Sequence, residues 1–163
     1  MATTSGTAKV TLPADTQILI TREFDAPRHN VWRAYTEPEL IKRWWAGKKG
    51  NVTSVEVDLR VGGGWRYVMT ANGGFEVAFH GEFREVAAPE RLVNTEAFEG
   101  IPNPDDNAGL IRVTLTEKEG RTYFEALCEY NDKATRDAVI DSGMESGMQE
   151  GYDELEQIAV SLS

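Results

Sequence analysis

From Gly143 the chain sets a small residue at every fourth position beside a stripe of large apolar ones: Gly143-Met-Glu-Ser-Gly-Met-Gln-Glu-Gly-Tyr-Asp-Glu-Leu155. On a helix turning about 100° per residue, Met144, Met148, Tyr152, Leu155, Ala159 and Leu162 share one stripe. Gly143, Gly147, Gly151 and Ile158 fall just beside it, and Glu145, Gln149, Glu150, Asp153 and Glu156 take the opposite side. A glycine inside a helix costs roughly 1 kcal/mol against alanine, so several together require a compensating gain. Either another backbone approaches closely there, or room is left beside the stripe. The membrane form of this spacing is excluded by the charged residues between the glycines. The pattern predicts a long amphipathic helix lying on a soluble core, with methionines able to repack around variable shapes.

Upstream the period is shorter. Ile18–Phe24 predicts a first strand, which Asp25-Ala-Pro27 ends; Asp25 is placed to cap a helix carrying Val31, Trp32, Ala34 and Tyr35. Pro38 opens a second short helix with Leu40, Ile41, Trp44 and Trp45 on its apolar side. From Asn51 the apolar period becomes two. Strands are predicted at Val52–Leu59, Trp65–Met69, Phe75–Val86, Leu92–Phe98, Leu110–Thr116 and Thr122–Tyr130, with Gly62-Gly-Gly64 and Asn72-Gly73 as turns. Successive hairpins make an antiparallel meander with one buried face. A helix of about 19 residues, roughly 28 Å long, suffices to cross it.

One domain over residues 17–163 is expected, since 163 residues can bury their own core. Residues 1–16, rich in Thr, Ala, Ser and Gly, read as a disordered tail and not as a signal peptide. No segment approaches the roughly 20 apolar residues of a membrane span, and a single cysteine, Cys128, permits no intrachain disulfide. A cytoplasmic location is expected. The net charge of −10 is concentrated after residue 80, which argues against a nucleic-acid binder with its basic face.

Catalytic candidates are few. His29 stands at a helix start, and Cys128 alternates with Phe124 and Ala126 as a small core residue. One cysteine and two histidines make no closed zinc set. The triple glycine lacks the Lys-Ser/Thr of a phosphate loop, and no nucleophile elbow is present. What stands out is a supply of large adaptable side chains. Trp45, Trp65, Tyr67, Met69, Phe79, Met144, Met148 and Tyr152 are the candidate walls of a cavity between sheet and helix. Arg60, Arg66 and His80 are the nearest polar candidates to orient a ligand oxygen, with strand alternation turning His80 away from the aromatics.

Four stretches carry a family resemblance: Trp44-Trp-Ala-Gly-Lys-Lys-Gly50, Asp58-Leu-Arg-Val-Gly-Gly-Gly-Trp65, Glu85-Val-Ala-Ala-Pro-Glu-Arg-Leu92 and Ser142-Gly-Met-Glu-Ser-Gly-Met-Gln-Glu-Gly-Tyr152. They resemble the bacterial single-domain relatives of the Aha-type activator of the ninety-kilodalton heat-shock protein ATPase, within the START-like, birch-pollen-allergen-like (SRPBCC) superfamily. The resemblance implies an α+β helix-grip fold. In that fold a curved antiparallel sheet of six to seven strands surrounds a long C-terminal helix, two short helices follow the first strand, and an apolar cavity lies between sheet and long helix. The superfamily includes lipid carriers, polyketide cyclases, hormone receptors and ring-hydroxylase subunits, so fold alone does not select an activity. The expected function is binding of an apolar or aromatic small molecule without a cofactor, a metal or a catalytic set. The alternatives are a cavity enzyme of the cyclase or dehydratase type, which a perturbed His80 titration would favour, and a chaperone-modulating interaction module.

Overall fold

The computed structural model describes residues 7–162. Its elements in chain order are β1 (Lys9–Thr11), β2 (Gln17–Phe24), α1 (Arg28–Thr36), α2 (Pro38–Trp44), β3 (Gly50–Val57), β4 (Gly64–Ala71), β5 (Glu76–Ala87), β6 (Arg91–Phe98), β7 (Gly109–Lys118), β8 (Arg121–Glu129), α3 (Lys133–Asp141) and α4 (Met144–Ser161). The eight strands form one antiparallel sheet in the order β1-β2-β8-β7-β6-β5-β4-β3. Every predicted strand is present as part of the meander β3 to β8, and β2 closes beside the last strand. The helices α1 and α2 therefore carry the chain from one side of the sheet to the far edge. The sheet is curved, and α4 is the long C-terminal helix of a helix-grip fold.

One strand more than expected comes from the segment read as a tail. Lys9–Thr11 pairs with Thr21–Leu19 of β2, Ala8 is buried, and Val10 packs on the core. Three residues are too short to show a period. Pairing is completed by Gln149, expected on the outward side of α4. Its amide accepts from the Ala8 N–H at 3.1 Å and donates to the Ala8 carbonyl at 2.8 Å. Residues 1–6 of the expected tail lie outside the described residues.

The long helix is seated by Tyr152, Leu155, Ile158 and Ala159, all buried, while Glu145, Asp153 and Glu154 stay exposed. Met144 and Met148 are half-buried against the same core. Two polar clamps fix α4 laterally. Arg22 of β2, with no exposed side-chain surface, reaches Asp153 at 2.8 Å and Glu156 at 3.1 Å and lies 4.8 Å over the Phe24 ring. Asn30 of α1 donates to the carbonyls of Ala159, at 3.2 Å, and Leu162. Cap geometry differs from expectation at α1: its flanking residue is Pro27, not Asp25. Asp25 pairs instead with Arg121, and the Arg28 N–H donates to Glu117 at 2.7 Å.

The three glycines of the opening pattern do different things. Gly143 lies before α4 at φ +83°, joining α3 to α4 in a left-handed conformation that glycine adopts without strain. Gly151 is a close-approach position, where a Cβ would stand 3.1 Å from the Trp44 carbonyl oxygen and 3.4 Å from its ring. Gly147 faces open space, with nothing within 4 Å of a Cβ. The two helical glycines are thus not equivalent, although their spacing treats them alike.

Candidate functional site

Alternation decides what faces α4. On β4, Trp65, Tyr67 and Met69 share the inner face, and Tyr67 stands opposite Phe79 of β5, which stands opposite Phe98 of β6. These side chains divide. Trp45 lies 5.4 Å from Tyr67 and 5.6 Å from Phe79, Trp65 lies 4.6 Å from Tyr67, and Phe79 lies 5.1 Å from Phe98, forming one aromatic group. Tyr152 belongs to a second group with Phe24, Tyr35, Trp44 and Phe124, linked by ring centroids 5.2–6.2 Å apart. Met69 packs in a small satellite core with Ala46 and Ala71. Trp65 is buried, and its indole N–H donates to the Thr95 carbonyl at 3.1 Å, so it is anchored as well as packed.

The polar candidates are not in the interior. Arg60 is exposed and pairs with Asp58 in the same turn at 2.9 Å. Arg66 stands opposite His80, which stands opposite Ala97, on the outer face. There Glu99 holds Arg66 at 2.8 Å and the His80 Nδ1 at 2.7 Å, with Asp105 on the other ring nitrogen. Donating its ring N–H groups to the Asp105 and Glu99 carboxylates raises the His80 pKa, and Glu99 is pulled down to about 2, chiefly by Arg66. The His80 titration is indeed perturbed, but by carboxylates on the surface remote from α4. It therefore gives no support to a cavity enzyme. Two open grooves, of about 500 and about 380 Å³, also lie away from α4: one runs over Glu56, Asp58, Arg66 and His80, the other beside Phe75, Val77 and Phe98.

The interior polar group is Glu96 of β6, which sequence reasoning passed over. Leu92, Asn94, Glu96 and Phe98 share one strand face, and Leu92 belongs to the main core, so alternation alone was enough to place this carboxylate inward. Burial raises its pKa to about 7, with no charged or hydrogen-bonding partner contributing. Its field is felt by Tyr35 of α1, Tyr67 of β4, Cys128 and Tyr130 at the end of β8, and Tyr152 of α4. Burial first, and Glu96 among the lesser causes, pushes all four phenols above their ordinary range and the thiol up to about 12. Glu96 is therefore within electrostatic reach of both aromatic groups.

Glu96, Tyr35 and Tyr67 are half-buried, so a water-sized sphere still touches each of them. The hydrogen bonding agrees. No hydrogen bond acts on Glu96 or on the Tyr35, Tyr67 and Tyr152 hydroxyls. Even so, no described side-chain oxygen or nitrogen is both partnerless and sealed from water. Buried oxygens without partners are costly, and these avoid that cost by remaining accessible to water. Among the described residues no cluster of three metal-binding side chains occurs, and no helix is long and apolar enough to cross a membrane.

The model of the family described as "Activator of Hsp90 ATPase homolog 1-like protein" matches residues 25–159. The chain belongs to this family. Members of the START-like fold to which it belongs typically hold hydrophobic ligands. Solved structures agree on the fold. A protein of Rhodobacter sphaeroides is 25% identical with a TM-score of 0.86, over 96% of this chain and 100% of its own. A protein of Mycobacterium smegmatis is 29% identical (TM-score 0.80, 95% and 96% coverage), and one of Nitrosomonas europaea is 27% identical (TM-score 0.79, 90% and 96% coverage). No curated protein matches the sequence. As a member of the activator-homologue family, the chain shares the helix-grip frame on which the Glu96 interior is built.

Proposed function

We propose that this protein binds an apolar or aromatic small molecule in the interior between its sheet and α4. The observation that carries the reading is the set of oxygens without hydrogen-bond partners on Glu96, Tyr35, Tyr67 and Tyr152, set among two aromatic groups. A sealed core would leave such groups unsatisfied. A space with large aromatic walls and a few convergent polar atoms is the usual form of a small-molecule site. Trp45, Trp65, Tyr67, Phe79 and Tyr152 supply walls, and Met144 and Met148, half-buried along α4, can adjust to the occupant.

Titrating flavonoid-like, fatty-acid and steroid probes against tryptophan emission tests this, because Trp45 and Trp65 both touch Tyr67. At least one class is expected to bind with a Kd near 1 μM, about −8 kcal/mol. Tyr67→Leu should weaken that binding about tenfold, roughly 1.4 kcal/mol. Absence of binding by every class would overturn the proposal.

A further inference from the structure

We infer that the ligand of this interior is an organic cation: an ammonium group on an apolar or aromatic body, seated between the two aromatic groups with Glu96 as its counter-ion. The inference rests on the small-molecule reading and adds the charge of what enters.

Three observations support it. Among the described residues Glu96 has no ion pair, and no charged side chain acts on it from any element packed around it. Interior charges in proteins are as a rule paired, so an ionised Glu96 lacks a cation that nothing in the chain supplies. Secondly, the groups within its electrostatic reach are mostly aromatic: Tyr35 from α1, Tyr67 from β4, Tyr130 just after β8 and Tyr152 from α4, with the Cys128 thiol. Their electron-rich faces attract ammonium groups, most strongly where water is excluded. Thirdly, the strand positions beside Glu96 are glycines. Gly109 is its direct partner on β7. Gly81 of β5, the partner of Trp65, lies opposite it between the pairs His80–Ala97 and Phe83–Asn94. A Cβ on Gly109 would stand 2.6 Å from the Tyr130 ring, and one on Gly81 would stand 2.6 Å from the Trp65 indole nitrogen. The Tyr130 ring thus occupies the place of the side chain missing at Gly109, while at Gly81 the Thr95 carbonyl oxygen, 1.9 Å from the same Cβ, leaves no room and the Trp65 indole lies alongside. The net charge of −10 adds a long-range attraction for cations.

The test compares benzyltrimethylammonium with neopentylbenzene, its uncharged carbon isostere, by tryptophan emission and calorimetry at about pH 8.5 and about pH 5.5. The phenols and the thiol stay neutral across this range, so Glu96 is the group facing the space that changes charge. The expected result is a preference for the cation of about tenfold or more at the higher pH. That preference should shrink to what the aromatic faces alone supply at the lower pH and in Glu96→Gln at both, while His80→Gln, altered on the outer face, retains it in full. Should Glu96→Gln fold poorly, the pH comparison on the wild-type chain decides by itself. Equal binding of cation and isostere at the higher pH overturns the inference and leaves the small-molecule reading standing. Failure of both these ligands and the neutral probe classes overturns both.

Discussion

Alanine should stabilise the fold at Gly147 and fail to do so at Gly151. Both glycines lie inside α4, so intrinsic propensity alone predicts a gain of about 1 kcal/mol at either. At Gly147 nothing lies within 4 Å of the new Cβ, and the gain is realised in full. For a chain of this size that is a rise in Tm of about 2–4 °C. At Gly151 the methyl would sit 3.1 Å from the Trp44 carbonyl oxygen. That oxygen cannot swing away, because it accepts the Gly47 N–H at 3.0 Å in the turn that ends α2. The helix itself must retreat by a few tenths of an ångström, which loosens Tyr152 and Leu155 one and four residues on. We expect Gly151→Ala to be neutral to destabilising, and Gly151→Leu to lose about 1–3 kcal/mol, the usual cost of overpacking. Thermal and urea unfolding of the three variants against wild type measure all of this. If Gly151→Ala stabilises as much as Gly147→Ala, the reasoning about close approach fails.

Glu96 should weaken the fold as pH rises, opposite to a paired carboxylate. Its folded pKa of about 7 lies above the ordinary 4.5, so the folded state releases the proton less readily and stability falls from about pH 4.5 to about pH 7. The advantage of Glu96→Gln over wild type in urea unfolding should grow across that window by at most about 3 kcal/mol; a constant difference would show the carboxyl is solvated. His80 should titrate by NMR above its ordinary 6.5 and contribute stability below that value, lost as pH passes its folded pKa. Asp105→Asn and Glu99→Gln should each bring the titration back toward 6.5, and an unmoved curve would remove the surface clamp.

The helix-grip order was legible along the chain because local patterns dictate it. The change from period four to period two after Trp45, the glycine and Asn-Gly turns, and the apolar stripe from Tyr152 to Ala159 each follow from side-chain direction in a helix or a strand. Alternation likewise turned His80 outward and could have turned Glu96 inward, since its face was already marked by Leu92. What tertiary structure alone decided were contacts between segments far apart in sequence. Alternation puts Arg22 on the buried face of β2 with Ile20 and Phe24, but its partners Asp153 and Glu156 come from 131 and 134 positions away. Gly147 and Gly151 have the same spacing and propensity, and only the arrival of Trp44 separates them. Ala8 and Val10 form a strand because β2 and the Gln149 amide lie alongside. The surroundings of Glu96 are decided in the same way, for tyrosines from α1, β4, α4 and the residue after β8 come within its electrostatic reach. A sequence records which side chains can face inward, but whether they meet in contact or leave a gap depends on the distances between elements that only the packed chain sets.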